Sequence, residues 1–224
     1  MISPGRLADR LMGRLSDQLM PGPVERTAER DAAIDAMLPN VPFDGWTKRA
    51  LRAGGIAPED ADFLFPRGAA EMVEVFCDLA DRRMEAAADV SMEMRVTQRV
   101  RAVIALRLRQ NRMHKEAIRR ALAVLALPRN GRIGPAVTAR TVDAIWRAAG
   151  DRSDDLSWYT KRAILAGVYS ATLLYWLRDY SEEDEATLSF LDRRLAGVGQ
   201  ITRLRTGVEG LLGSFPVPRV LRTG

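Results

Sequence analysis

Apolar residues recur along this chain every three or four positions, which is the spacing of one face of an α-helix. No segment shows the sustained alternation of apolar and polar residues that is typical of a strand. Proline and glycine residues separate the periodic segments and mark where helices end. The pattern therefore predicts an all-α protein of about nine or ten helices. The longer predicted helices are residues 24–38, 69–90, 92–113, 115–127, 135–149, 158–180 and 183–205.

Two short helices are predicted between the first two long ones. Thr47 can cap the first of them, because a threonine at this position accepts a hydrogen bond from the first helical turn. Gly54 and Gly55 can form the turn that follows it, and Pro58 suits the first turn of the second short helix. Two short helices around a glycine turn, after a longer helix, give residues 25–68 a helix-turn-helix outline.

The predicted helix 158–180 contains all four tyrosines of the chain and two of its four tryptophans. The fifteen residues from Ala163 to Leu177 carry no charge, which is fewer than the ~20 apolar residues that a transmembrane helix needs. A helix that is apolar nearly all round is normally covered by its neighbours. We therefore expect residues 158–180 to be the central helix of a bundle formed by residues 69–205.

The two ends of the chain differ from this bundle. Residues 1–24 carry leucines at helical spacing beside arginines and finish in a proline-glycine-proline break. They predict either a loosely docked or disordered helix, or a targeting or membrane-touching helix. Residues 206–224 combine one apolar helical face with prolines and arginines. This tail fits a membrane interface, and it equally fits docking onto the bundle.

The charge of the chain is compatible with an anionic partner. The net charge is +5 and the isoelectric point is near 9.9, which suits lipid headgroups or nucleic acid. Between Arg95 and Arg120, nine basic residues accompany one acid, Glu116. This segment is either a solvated helix face or a surface for an acidic partner or an anionic bilayer.

Familiar catalytic and metal-binding residues are scarce in this sequence. It has one cysteine, Cys77, and one histidine, His114, so a metal site built from imidazole and thiolate ligands is not expected. The residue three before His114 is Asn111, so the Glu-x-x-His pair of di-iron bundles is absent. Neither a phosphate-binding loop nor a Gly-x-Ser-x-Gly nucleophile motif occurs. We expect no catalytic residues, no metal and no cofactor.

The segment LRAGGIAPEDADFLFPRGAAEMV resembles the N-terminal part of TetR-type regulators, and the resemblance implies a TetR-like helical bundle. The residues that match are Ala53, Gly54, Ile56, Phe63, Phe65 and Pro66. The helix that would enter the major groove has three carboxylates and no lysine or arginine between Ile56 and Pro66. Because DNA affinity depends on neutralising phosphates, we predict that nucleic acid is not bound. A TetR-type regulator that senses an apolar ligand is the alternative.

Longer motifs are similar to those of the ubiquinone-biosynthesis accessory protein family, a TetR-like, lipid-binding family. They are VPFDGWTKRALR (41–52), LFPRG (64–68), WYTKRAILAGVYSATLLYWL (158–177) and FLDRRL (190–195). The resemblance implies a non-enzymatic homodimer that pairs through C-terminal helices and binds isoprenoid quinone or phospholipid. It also implies delivery of a quinone precursor to the di-iron demethoxyubiquinone hydroxylase at a membrane surface. The expected place is the bacterial cytoplasm, peripheral on the inner membrane, or the matrix side of the mitochondrial membrane.

The same resemblance implies a partner-docking surface. Its residues in this sequence are Asp143, Trp146, Trp158, Tyr159 and Arg162. Trp, Tyr and Arg are the residue types that anchor interfaces, and Trp158 and Arg162 lie one helical turn apart. The alternative is that both tryptophans are core residues and that Arg162 pairs with an acid of the preceding loop, at position 154 or 155.

A lipid-binding set is predicted along the central helix. Leu165, Tyr169, Leu173 and Trp176 fall near one helical face, and Arg162 could meet a phosphate headgroup. The same face could instead be solid core.

Overall fold

The computed structural model describes residues 24–151 and 157–197, with side chains from residue 160 onward in the second segment. The regular structure of these residues is helical throughout, so the all-α prediction is confirmed. The α-helices in chain order are α1 Ala28–Met37, α2 Val41–Asp44, α3 Lys48–Ala53, α4 Pro58–Leu64, α5 Ala69–Ala87, α6 Val96–Gln110, α7 Lys115–Leu125, α8 Ile133–Ala148, α9 Ser157–Trp176 and α10, residues 185–197. The predictions for residues 1–23 and for the tail 206–224 lie outside the described residues.

The helix-turn-helix outline is present in α1 to α4. Thr47 accepts a hydrogen bond from the backbone N–H of Ala50 and caps α3 as predicted. A Cβ on Gly54 would lie 2.5 Å from the carbonyl oxygen of Ala36 in α1, so only glycine lets α3 end this close to α1. Gly55 follows with a φ of +91°. These two glycines therefore set the angle of the turn.

The short helix α2 is not predicted from the sequence, because Pro39 and Pro42 also indicate the end of α1. Pro42 occupies the first turn of α2, where a proline costs no backbone hydrogen bond. Directly after α2, the indole N–H of Trp46 donates to the carbonyl of Ala117 in α7 at 2.9 Å. This bond joins the N-terminal part to the bundle.

Arg30 is a buried arginine that connects three elements. Its Nη2 donates to Oε1 of Glu71 in α5 at 2.5 Å and to the carbonyl of Leu64 in α4 at 2.6 Å. Arg30 is 5% exposed and Glu71 is 4% exposed. A buried ion pair contributes stability only where such additional bonds satisfy it, and here the bonds hold α1, α4 and α5 together.

The bundle is built around α5, which packs along α8 and also contacts α6 and α7. On α5 the spacing of apolar residues predicts an inward face that is buried throughout, namely Met72, Val75, Phe76, Leu79 and Met84. On α6 the same spacing predicts that Val96, Val100, Val103, Ile104 and Leu108 face inward, and this is wrong for Val96, which is 42% exposed. Val96 is the first residue of α6, and it comes one turn before Val100, where burial begins.

The central helix α9 has two different faces. Leu165, Val168, Tyr169 and Trp176 are buried, as expected. The expectation of cover nearly all round is wrong for the opposite face, much of which the described residues leave exposed. Its apolar side chains are Ile164 (37% exposed), Leu174 (57%) and Tyr175 (38%). No helix in the described part of the chain has an apolar stretch long enough to span a membrane.

The helix α9 ends at Trp176, four residues before the predicted end. Arg119 donates to the carbonyl of Leu177, and Lys115 donates to the carbonyl of Asp179. The Asp179 carboxylate accepts hydrogen bonds from the backbone N–H groups of Ser181 and Thr187 at 2.8 and 2.7 Å. These bonds turn the chain from α9 into α10.

We expect Asp179→Asn to lower the free energy of unfolding at neutral pH by about 1 kcal/mol, the usual worth of a helix-terminus acceptor. Burial would raise the pKa of Asp179, but hydrogen bonds from Ser181 and Thr187 outweigh it and lower that pKa from 3.8 to about 2. Because the pKa of Asp179 is lower in the folded than in the unfolded chain, ionised Asp179 stabilises the fold at pH values above its unfolded pKa. This contribution is lost as the pH falls towards the folded pKa. Urea unfolding between about pH 5 and pH 2 should show the wild type losing its advantage. Asp60→Asn, on exposed Asp60, is the control, and a difference independent of pH would contradict this account.

Candidate ligand cavity and docking surface

A cavity of about 70 Å³ lies among α5, α6, α7, α8 and α9. Its wall is mostly apolar, with Phe76 from α5 and Leu122 and Leu125 from α7. Three residues of the predicted lipid-binding set also line it, namely Tyr169, Leu173 and Trp176. The other two predicted members do not. Leu165 is buried in the core, and Arg162 contacts Asp143.

The polar part of this wall was missed by the sequence analysis. Arg107 of α6 lines the cavity and is 6% exposed. Its Nε donates to the Tyr169 hydroxyl at 3.0 Å, and its Nη2 lies 3.0 Å from the Asp81 carboxylate. Thr141 donates to the other Asp81 oxygen at 2.9 Å. A signal was available, since Arg107 lies one turn after the inward-facing Val103 and Ile104, which places an arginine on the apolar face of α6.

Burial governs the protonation of the groups around the cavity. It raises the pKa of Asp81 to about 6, although Arg107 and Thr141 pull that pKa down. Burial also raises the pKa of the Cys77 thiol to about 12. A thiol that stays protonated is a poor nucleophile. In the described segments, no group of three or more His, Cys, Asp or Glu side chains is placed to hold a metal ion.

The predicted docking residues lie where α8 meets the start of α9. Arg162 forms an ion pair with Asp143, and the acids at positions 154 and 155 of the alternative interpretation lie outside the described residues. Trp146 is 9% exposed and packs in the core, one helical turn from Asp143 on α8. Trp158 and Tyr159 belong to the first turn of α9, and their side chains lie outside the described residues.

The basic segment 95–120 does not form an unpaired basic face. Arg101 is 2.5 Å from Asp192, and Arg112 is 3.0 Å from Glu183. Further ion pairs join Arg107 to Asp81, Lys115 to Asp184, and both Arg119 and Arg120 to Glu116. Most of the positive charge in this segment is therefore already matched by carboxylates of the same chain.

A sequence model of the COQ9 family matches residues 134–202, which include α8 and α9. The fission yeast protein "Ubiquinone biosynthesis protein coq9, mitochondrial" (Schizosaccharomyces pombe) is 31% identical over 180 residues, covering 78% of this chain and 72% of that protein. The chain belongs to the COQ9 family. The COQ9 protein of the frog Xenopus tropicalis is 34% identical over 201 residues, and the human COQ9 protein is 30% identical over 175 residues. The match to the frog protein covers 81% of this chain and 63% of the relative; for the human protein the shares are 72% and 55%.

The fold of this COQ9-family chain is also known from a solved structure. A TetR transcriptional regulator from Nitrosomonas europaea superposes with a TM-score of 0.61 at 22% sequence identity, covering 78% of this chain and 99% of the regulator. At this identity the likeness shows the fold alone, and it confirms the TetR-like bundle that the sequence predicts. The family resemblance read from the sequence motifs is confirmed as well.

Proposed function

We propose that this chain is a non-enzymatic accessory protein of ubiquinone biosynthesis. It binds an isoprenoid quinone precursor or a phospholipid and presents the precursor to the di-iron demethoxyubiquinone hydroxylase. The observation that carries the proposal is the mostly apolar cavity among α5 to α9. The relatives are named as ubiquinone biosynthesis proteins. In this proposal the di-iron centre belongs to the hydroxylase, and the accessory protein binds the lipid.

The cavity of about 70 Å³ is smaller than a whole lipid requires. Pockets that bury a drug-sized ligand usually measure about 300–1,000 Å³. A long isoprenoid chain therefore needs the surrounding helices to separate. On α7 the lining residues Leu122 and Leu125 are only partly buried. Moving α7 outward would therefore break fewer buried contacts than moving α5. We place the widening of the cavity at α7.

A substitution that fills the cavity should abolish lipid binding while the protein still folds. Ala121 lines the cavity and is 4% exposed, so Ala121→Phe puts a ring into the ligand's space at a cost of about 1–3 kcal/mol from overpacking. Native mass spectrometry should show loss of the co-purifying lipid. A deletion strain complemented with this variant should accumulate demethoxyubiquinone.

Ala123→Phe is the matched control for this experiment, because Ala123 is exposed on the same helix. It should retain lipid and restore ubiquinone. If the Ala121→Phe protein is folded by circular dichroism and restores ubiquinone fully, the cavity is not the functional site.

The hydroxylase is proposed to dock on the corner of α8 and α9. The ion pair between Asp143 and Arg162 joins the start of α9 to α8, and Trp146 is buried one helical turn after Asp143. The first turn of α9 carries Trp158 and Tyr159 in the sequence. Aromatic and arginine side chains clustered at one corner are typical of an interface centre. This surface and the cavity share α9, so the bound precursor lies close to the enzyme.

A homodimer is proposed through the exposed face of α9 together with α10. Tyr175 stacks on Phe190 of α10 with ring centroids 4.6 Å apart. A Cβ on Gly167 would meet nothing within 4 Å, which leaves room for another helix to come close. A second copy presents the same apolar face and can cover it by two-fold symmetry.

The TetR-type regulator is less well supported. On α4, the helix in the reading position, Glu59, Asp60 and Asp62 are exposed, and Lys48 is engaged with Asp62. A carboxylate surface repels DNA phosphates. We place the chain instead at the surface of the membrane that carries the quinone pathway, the bacterial inner membrane or the mitochondrial inner membrane, as the names of the relatives suggest for the latter.

A further inference from the structure

The loop between α7 and α8, residues 126–132, carries positive charge that no carboxylate of the described residues neutralises. The 26 residues that follow Glu116 contain five arginines and no acidic residue. Three of these arginines pair with Glu116 or Glu74. The other two, Arg129 and Arg132, lie in the loop and are exposed. Neither of them forms an ion pair within the described part of the chain, so the loop differs from the basic segment of α6 and α7.

A buried asparagine anchors this loop to α7. Asn130 is 7% exposed, and its side-chain amide donates to the carbonyl of Val124 at 2.7 Å. Its backbone N–H donates to the carbonyl of Leu127 at 2.8 Å. Leu127 is 37% exposed, and Pro128 is exposed as well. The surface of the loop therefore presents apolar side chains directly beside its two arginines.

The apolar wall of the cavity begins next to the loop. Leu125, the last residue of α7, lines the cavity, and so do Val137 and Thr138 in the second turn of α8. Leu125 and Thr138 are only partly buried. A Cβ on Gly134 would lie 3.7 Å from the Cβ of Leu125, so α8 starts close against the end of α7. The loop thus closes the cavity where these two helices meet.

The combination of charge and apolar surface favours an anionic bilayer as the partner of this loop. A guanidinium group binds lipid phosphate through paired hydrogen bonds, and arginines near a membrane are attracted by its anionic headgroups. Apolar side chains beside them can enter the boundary between headgroups and acyl chains. Nucleic acid or an acidic protein would engage Arg129 and Arg132 but would leave Leu127 without an apolar partner.

We propose that the α7–α8 loop contacts an anionic membrane and that lipid enters the cavity between α7 and α8 at this loop. The inference rests on the proposed function, because it takes the cavity to hold a lipid. It adds which surface of the chain faces the bilayer and by which route the lipid arrives.

Co-sedimentation of the full chain with vesicles tests the membrane contact. One set of vesicles combines phosphatidylcholine with anionic phosphatidylglycerol, and the other is phosphatidylcholine alone. The test variant is Arg129→Gln with Arg132→Gln. The control, Arg52→Gln with Arg109→Gln, removes the same charge from exposed positions on α3 and α6. Both proteins have the same net charge and the same tail, so any difference between them belongs to the loop.

We expect the loop variant to bind anionic vesicles about 30-fold more weakly than the control, since each arginine near an anionic surface contributes roughly a fivefold gain in affinity. On neutral vesicles the two should bind alike. Leu127→Ser should weaken binding to anionic vesicles but not to heparin, a polyanion without an apolar part. Circular dichroism should show wild-type helical content for every variant, because all the substituted side chains are exposed.

The entry route is tested by loading the protein with a short-chain ubiquinone. The quinone is supplied in anionic vesicles or in neutral detergent micelles, and native mass spectrometry of the re-isolated protein follows its uptake. The loop variant should load more slowly than the control from vesicles and equally well from micelles, because only the vesicle route needs the membrane contact.

Three results would overturn the inference, each in a different way. Equal binding of the loop variant and the control to anionic vesicles, or wild-type vesicle binding by Leu127→Ser, removes the loop as a membrane contact. Normal quinone uptake from vesicles by a loop variant that no longer binds them places the entry elsewhere. A wild type that takes up no quinone from vesicles or micelles removes the cavity as a lipid site, and the entry route with it.

Discussion

Leu174→Asp is expected to convert the proposed homodimer into a monomer. Leu174 is 57% exposed on the face of α9 that residues 24–151 and 157–197 leave uncovered. In a two-fold dimer the substitution places two carboxylates in one apolar interface, and each loses hydration that nothing there replaces. The dimer should weaken by at least about 100-fold, since several kcal/mol are lost for each buried charge. Sedimentation equilibrium at micromolar concentrations measures this directly.

Met113→Asp is the matched control for the dimer experiment. Met113 is 89% exposed in the turn before α7, so it receives the same change from an apolar to an acidic side chain away from α9. The control should sediment as the wild type does. A wild type that is monomeric throughout the concentration range, or a Leu174→Asp protein that stays dimeric, contradicts the proposed interface.

Trp158→Lys is expected to weaken the proposed binding of the hydroxylase. The residue stands in the first turn of α9, four positions before Arg162, which is paired with Asp143. Replacing an interface tryptophan typically costs 2 kcal/mol or more, which corresponds to at least about a 30-fold loss of affinity. Co-purification of the two proteins, followed by a titration of one against the other, gives the magnitude.

Tyr180→Lys serves as the control, because Tyr180 is an exposed aromatic residue (88%) just beyond the other end of α9. It should bind the hydroxylase normally. Both variants should keep the helical content and melting temperature of the wild type. Undiminished co-purification with Trp158→Lys, in a folded protein, places the docking surface elsewhere.

Local signals predicted the helices well. Thr47, Gly54 and Pro58 each perform the role that their chemistry indicates, because capping, close approach and a fixed φ are properties of a few neighbouring residues. Apolar residues that recur every three or four positions also identified the buried face of α5 correctly. Along α9, it placed Tyr169, Leu173 and Trp176 together on what proves to be the cavity wall.

The sequence could not predict features that depend on tertiary contacts. The spacing on α6 places Arg107 on the apolar face, but it does not identify the partners Asp81 and Tyr169, which lie 26 and 62 positions away in the sequence. The exposed face of α9 has the same composition as a buried one, so only the arrangement of its neighbours distinguishes them. The early end of α9 depends on Arg119 and Lys115, which approach from α7.

The contacts of Arg30 and Trp46 bear on how the chain folds. Arg30 binds Glu71 in α5, and Trp46 binds the backbone of α7. The core residues of α1 to α4 belong to the same continuous cluster as those of α5 to α9. The N-terminal helices thus have no separate core to keep when the bundle melts. The helix-turn-helix part and the bundle differ in architecture, but we expect the described helices to unfold together in a single cooperative transition.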